Sequence, residues 1–227
     1  MNKRKLNPST LFQREFGVQL EKLQLTEEAS YSITKPDKAP LIHDIMQRHL
    51  NIVDKKKNIK ECVITDATAC VGGDTLQFSK HFQSVNAVEI NPTHCKMLQN
   101  NIGVYKRKNV NVFCADYTKM YYTLQQDVVF MDPPWGGPSY KKKARVKLQL
   151  SNIPLYKIIQ KISNRAKLIV LKTPTNFDMG SLFHYKSYYT QNPLYTYVHV
   201  YHLGNMNIIV LVMNTQIKRT TKRKVVS

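Results

Sequence analysis

Short apolar runs bounded by polar positions alternate, along the middle of the chain, with stretches whose apolar residues recur at helical spacing. Residues 62–65, 85–90, 110–114, 127–131 and 167–171 read as strands, and stretches near 74–81, 92–105 and 117–124 read as the helices between the first four. Pro92 suits a first helical turn, where its missing N–H would have no partner in any case. A further helix is expected over 155–164, with Ile158, Ile159 and Ile162 on one face. This β-α-β-α rhythm predicts a parallel sheet covered by helices on both faces, joined by right-handed crossovers. The rhythm breaks at the end, where 195–203 and 207–214 are two strand-like runs joined by Gly204-Asn205-Met206. That turn predicts an antiparallel hairpin. The expected architecture is α/β, a Rossmann-like, mostly parallel seven-stranded sheet with a C-terminal antiparallel hairpin and a helical N-terminal extension. Residues 1–60, with a helix near 38–50, are assigned to the extension that closes over the active site, 61–216 to the catalytic domain and 217–227 to a disordered basic tail. The Lys55-Lys56-Lys57 run reads as a solvated linker.

Composition adds a partner class. The chain has 227 residues, with 34 Lys and Arg against 15 Asp and Glu, a net charge of +19. This excess favours a polyanionic partner. A hydrophobic fraction of 42% excludes wholesale disorder. The longest apolar run, 208–213, is far short of a membrane span, so no membrane partner is expected. The opening MNKRKLNPST has no apolar segment behind its charge, which argues against a secretory signal. The four cysteines, Cys62, Cys70, Cys95 and Cys114, form no CxxC pair. They read as buried free thiols in a reducing, intracellular compartment. His199 and His202, three apart on an expected strand, point to opposite faces, so no metal site is assigned. The basic tail is either a nuclear address or an RNA-attracting arm, and a monomer is the working expectation.

Candidate chemistry gathers at the strand ends. The first strand runs into Asp66-Ala67-Thr68-Ala69-Cys70-Val71-Gly72-Gly73-Asp74 and then a helix. Glycines at such a turn let a ligand approach the backbone. The order differs from GxGxxG, and the carboxylate of Asp66 would repel a pyrophosphate but suits a cationic group. Glu89, after the second strand, is placed to accept ribose hydroxyls, and Asp116, after the third, to meet an adenine amine. Three acids at consecutive strand ends, a glycine turn and a terminal hairpin together imply S-adenosylmethionine and the class I methyltransferase plan. The fourth strand ends in Asp132-Pro133-Pro134-Trp135, the most specific string in the chain. Such a string marks methylation of an amine on a planar base. The lone pair of that amine is delocalised into the ring, and hydrogen bonds to Asp132 and the Pro133 carbonyl can localise it toward the methyl donor. The prolines stiffen the loop, and Trp135 can stack on the base at about 1–3 kcal/mol.

With those residues placed, the sequence resembles the trimethylguanosine synthase family, which methylates guanine N2 of 7-methylguanosine RNA caps. The resemblance covers residues 11–213 and rests on Asp66-Ala67 through Gly72-Gly73, on Glu89, and on Asp132-Pro133-Pro134-Trp135-Gly136-Gly137-Pro138-Ser139-Tyr140. Leu11-Phe12, Gly17-Val18-Gln19-Leu20 and Tyr31-Ser32-Ile33-Thr34 are similar to the family's helical extension. The resemblance implies that Phe12 and Thr34 line the cofactor pocket, that Trp135 stacks on the cap base, and that Tyr140, Lys3 and Asn176 contact the substrate. Lys141 and Lys142, with Lys143 and Arg145, are placed to meet the cap triphosphate or else form a solvated loop. Asp132 stands where the family has Ser. Lys172-Thr173-Pro174-Thr175-Asn176 replaces its Leu-Pro-Arg-Asn, and Lys35 is an insertion. Asp132 keeps open an adenine-N6 or non-cap guanine methylase, while a non-catalytic RNA-binding subunit would have no need of Asp66, Glu89, Asp132 and Trp135 together.

Overall fold

The computed structural model describes residues 8–54, 58–182 and 195–214. Lys3, the 55–57 lysine run and the 217–227 tail lie outside the described residues. The strands, in chain order, are β1 (Val63–Asp66), β2 (Ser84–Glu89), β3 (Val110–Cys114), β4 (Val128–Met131), β5 (Gln149–Leu150), β6 (Ile153–Pro154), β7 (Leu168–Pro174), β8 (Tyr195–Leu203) and β9 (Met206–Met213). The α-helices are α1 (Glu27–Ser32), α2 (Ala39–Val53), α3 (Gly73–Phe78), α4 (Pro92–Val104), α5 (Tyr117–Met120) and α6 (Leu155–Ile162).

Seven strands form one sheet in the order β3-β2-β1-β4-β7-β9-β8. The first five run parallel, and β9 enters antiparallel against β7 before pairing with β8. The central strands β4, β7 and β9 are buried along their whole length, as continuous apolar runs with both faces covered should be. The edge strand β8 alternates between half-buried and exposed positions. The hairpin turns on Gly204 at φ 72°, and the sheet is the seven-stranded one expected.

Three apolar clusters hold these layers. α6 buries Leu155, Ile158, Ile159 and Ile162 against one sheet face, beside Val129, Ile169 and Leu211. On the other face α2 sets Ile42, Met46 and Leu50 against Ile64, Phe130 and Val170. The third cluster joins the N-terminal segment to α4, with Phe12, Leu23 and Ala29 packed on Val71, Leu98, Ile102 and Tyr105. Asn101 reinforces that join: its Oδ1 accepts from the Gln24 N–H at 2.8 Å and its Nδ2 donates to the carbonyls of Gln24 and Val71. Glu15 adds ion pairs to Lys80 (2.7 Å) and Arg107 (2.6 Å).

Two expectations are corrected here. Cys95 and Cys114 are disulfide-bonded, because the packing of α4 on β3 brings their Cα atoms to 5.6 Å. Cys62 and Cys70 keep their thiols. α5 is also shorter than the stretch 117–124 suggested, ending at Met120. His199 and His202 are both exposed; His199 stacks on Tyr201, and His202 bonds Asn207 at 2.7 Å. Among the described residues no group of three or more His, Cys, Asp or Glu could hold a metal ion.

Candidate functional site

The parallel register puts Asp66, Glu89, Asp116 and Asp132 at one edge of the sheet, each at or just past the carboxyl end of its strand. Backbone bonds lace the two central turns together. The Ala67 N–H donates to the Phe130 carbonyl at 2.9 Å, and the Asp132 N–H donates to Thr68 Oγ1 at 2.7 Å. Gly72 caps α3 at φ 97°, a conformation that favours glycine, and a Cβ there would stand 2.8 Å from Leu98. Gly73 serves a different neighbour from the one expected. A Cβ on it would collide with Ile33, so the bare face of Gly73 receives the N-terminal segment.

The electrostatics of this edge are unusual. Asp66 is 1% exposed and accepts from the Thr75 hydroxyl at 2.6 Å and the Thr68 N–H at 3.3 Å. Burial, then the charge of Asp74, push its carboxyl up to about 8. Asp74 accepts from the Thr34 hydroxyl at 2.7 Å through Oδ2, whereas its buried Oδ1 has no partner among the described residues. Asp132 is raised to about 6 by burial, against the pull of Lys172. The Lys172 ammonium donates to Asp132 Oδ2 at 2.6 Å and to the Ser32 carbonyl at 2.9 Å. Burial alone would lower the Lys172 pKa, but Asp132, Asp74 and Asp66 together raise it. Three carboxyl groups thus surround one ammonium. The carboxyl groups outnumber the one ammonium, and the buried Asp74 Oδ1 is left as an orphaned acceptor. It fits a ligand with cationic groups, as S-adenosylmethionine has at its sulfonium and its amino group.

The loop after β4 carries the aromatic side of the site. Pro133 is buried, Pro134 is exposed, and Gly136 and Gly137 take φ 93° and 64° to turn the chain into a 3-10 segment at Gly137–Lys142. Trp135 is half-buried and packed against both sheet-face clusters, and its buried indole N–H makes no hydrogen bond of ordinary geometry among the described residues. That N–H still faces Asp132 closely enough to lower its pKa. Tyr140 meets the indole edge-on at 5.2 Å, and the Lys172 ammonium lies 5.8 Å from the ring centroid. The indole is therefore more enclosed than an open stacking platform. Lys141, Lys142, Lys143 and Arg145 are all exposed. Asn176 Nδ2 donates to the carbonyls of Tyr140 (3.0 Å) and Lys143 (2.7 Å). Expected as a substrate contact, Asn176 holds the basic loop against the end of β7.

The remaining sequence-assigned residues divide. Ala67 is buried in the turn. Glu89 accepts from the Cys70 N–H at 2.8 Å and the Asn91 N–H at 2.7 Å, so it ties the glycine turn to β2. Asp116 caps α5, accepting from both the N–H (2.9 Å) and hydroxyl (2.7 Å) of Thr118. Burial would raise the Asp116 pKa, but the Thr118 bonds hold it lowered. Phe12 is 3% exposed within the third cluster, and with Thr34, Gly73, Leu76 and Tyr105 it lines a small cavity that Asp66, Glu89, Asp132 and Trp135 do not touch. The edge contact with the acids on this side is made by Thr34. Sequence reasoning missed Lys172 and Asp74. The pairing Met131↔Leu171 is the signal for the first, because it sends Asp132 and Lys172 out of adjacent strands side by side.

The chain is also similar to known proteins. A family model described as RNA cap guanine-N2 methyltransferase matches residues 61–216. An uncharacterized protein, L320, of Acanthamoeba polyphaga mimivirus is 33% identical over 192 residues, covering 76% of this chain and 75% of its own length. The trimethylguanosine synthase of Schizosaccharomyces pombe is 31% identical over 133 residues, 55% of each chain. Among solved structures, the T. Thermophilus 16S rRNA N2 G1207 methyltransferase in complex with AdoMet and guanosine superposes with a TM-score of 0.58 at 13% identity. That match covers 80% of this chain and 44% of the other, and it shows the shared fold.

Proposed function

Since the chain belongs to the RNA cap guanine-N2 methyltransferase family and uses S-adenosylmethionine, we propose that it methylates the exocyclic N2 amine of a 7-methylguanosine RNA cap. The observation that carries this reading is the meeting of Trp135 and Asp132 beside the acidic cluster: an aromatic ring and a hydrogen-bond acceptor for a base adjoin groups suited to a cationic cofactor. When bound, the cofactor supplies an electrophilic methyl group on a sulfonium. Asp66 and Asp74 would hold its cationic end, and Glu89 would accept from its ribose hydroxyls. Thr34 orients Asp74.

On the substrate side Asp132 Oδ1 and the Pro133 carbonyl accept the two N–H bonds of the amine. This takes the nitrogen lone pair out of conjugation with the ring and leaves it available to the methyl group the cofactor would supply, with one amine proton passing to water. Most of the acceleration then comes from positioning and fixed charge. Methylation at N7 makes the purine cationic, which adds about 0.5–2 kcal/mol to its stacking on Trp135. Tyr140 braces the indole, and Lys141, Lys142 and Lys143 meet the triphosphate. The carboxylate at Asp132 favours a second reading, an adenine N6 amine as acceptor. Transfer of labelled methyl to 7-methylguanosine-capped RNA, unmethylated capped RNA and adenine-containing oligonucleotides separates the two. Label in the first alone is expected, and label in adenine alone overturns the cap reading.

A further inference from the structure

One buried ammonium joins three parts of the molecule. Lys172 interrupts the apolar run of β7, and its side chain is 5% exposed. Its Nζ reaches the Asp132 carboxylate at 2.6 Å, the carbonyl of Ser32, the last residue of α1, at 2.9 Å, and the Trp135 ring at 5.8 Å. Packing alone does not call for a charge here, because the two residues before it on the strand, Val170 and Leu171, are fully buried aliphatics and Thr173 after it is buried and uncharged. A buried ammonium is retained at a desolvation cost that its partners must offset. The groups facing Asp132 from other elements are Asp66 of β1, Cys70 of the following turn and Asp74 of α3. The two acids repel the Asp132 charge, and Lys172 is the cation that opposes them. The Lys172 ammonium meets Asp132 through Oδ2.

Resting on the reading that Asp132 meets the acceptor amine, we propose that Lys172 is a positioning residue for methyl transfer. It anchors Asp132 through Oδ2 so that Oδ1 faces the amine, and its bond to Ser32 makes that anchoring depend on the seating of the N-terminal segment. The pairing can be followed without substrate, because Trp135 is the only tryptophan in the chain and its N–H faces Asp132. In the wild-type protein, indole emission should change through a transition at about pH 6, and Asp132→Asn should abolish it. Lys172→Met should move the transition upward by about one pH unit or more, the effect of removing an adjacent opposite charge. Lys172→Arg should leave it in place. In methyl transfer, Lys172→Met should lower kcat by about 100-fold, with donor KM within about twofold, and the acid limb of the kcat/KM profile should move with the fluorescence transition. Proteolysis of the N-terminal segment should also quicken. Should Lys172→Met not fold, Lys172→Gln, which keeps a donor but no charge, should show the same upward movement. A kcat loss equal at every pH, with the transition unmoved, overturns the proposal. A wild-type protein that shows the transition and its shift but methylates no nucleobase amine overturns the substrate reading and leaves the pairing standing.

Discussion

Replacing Asp66 by Asn should stabilise the protein while it weakens donor binding. The Asp66 carboxyl is 1% exposed and is raised from 3.8 to about 8, by burial first and by Asp74 second. As pH rises through about 4 the unfolded chain releases this proton, while the folded chain keeps it until about 8. Stability therefore falls across that window, by about 1.36 kcal/mol per pH unit. At pH 7 the gap of roughly three units amounts to about 4 kcal/mol. Water entry and local relaxation reduce this, and the Thr75 hydrogen bond lost or weakened in the amide removes about 1 kcal/mol more. A net gain of about 2 kcal/mol remains, or about 4–8 °C in melting temperature for a domain of this size. At pH 5 the two proteins should nearly coincide, because the gap there is only about one unit. Thermal unfolding at pH 5, 6, 7 and 8 measures the difference. Adding S-adenosylmethionine should raise the wild-type midpoint and move the variant little. A variant destabilised by the same amount at every pH would show that the carboxyl is not held protonated, and an unchanged donor affinity would remove Asp66 from the cofactor site.

Other expectations follow from the same geometry. Trp135→Ala should weaken binding of a 7-methylguanosine cap analogue by about 1–3 kcal/mol and donor binding much less, as read by calorimetry; equal losses would make the indole purely structural. Activity on capped RNA should fall steeply with salt, and Gln at positions 141, 142 and 143 together should flatten the log–log slope by about 0.7 for each phosphate contact removed; an unchanged slope would return those lysines to the solvated loop. Gly73→Ala should push Ile33 off the turn, cost about 1–3 kcal/mol by overpacking and speed proteolytic cleavage near Ser32; wild-type behaviour would contradict the contact with Ile33.

Much of the sheet was legible because strands buried on both faces need long apolar runs, and β4 and the 208–213 stretch of β9 have them. The hairpin was legible because its turn needs a residue at positive φ, and Gly204 supplies it. Shorter elements were not. α1 depends on Thr26, whose side chain accepts from the Ala29 N–H, and six residues cannot display an apolar period. β5 and β6 are joined by Ser151 and Asn152 at φ 49° and 62°, where no glycine announces the turn. The acids at strand ends were visible in sequence, but their present tasks were not: Glu89 ties two turns, and Asp116 caps a helix. Lys172 was visible only as part of a departure from the family pattern, because the expected strand ended at Leu171 and nothing in the sequence pairs this lysine with an acid. Only register against β4 shows that it meets Asp132 instead. The Cys95–Cys114 bond spans 19 residues without a motif and arises from the packing of α4 on β3.

The most direct test is chemical location of the transferred methyl. Capped RNA bearing 7-methylguanosine is incubated with isotope-labelled S-adenosylmethionine, digested to nucleosides, and the labelled product is identified by mass spectrometry against synthetic standards. Label on N2 of the cap guanine, sharply reduced by Asp132→Asn and by Trp135→Ala, is the outcome expected. Label on adenine N6 or on an internal guanine, with the cap untouched, would contradict it.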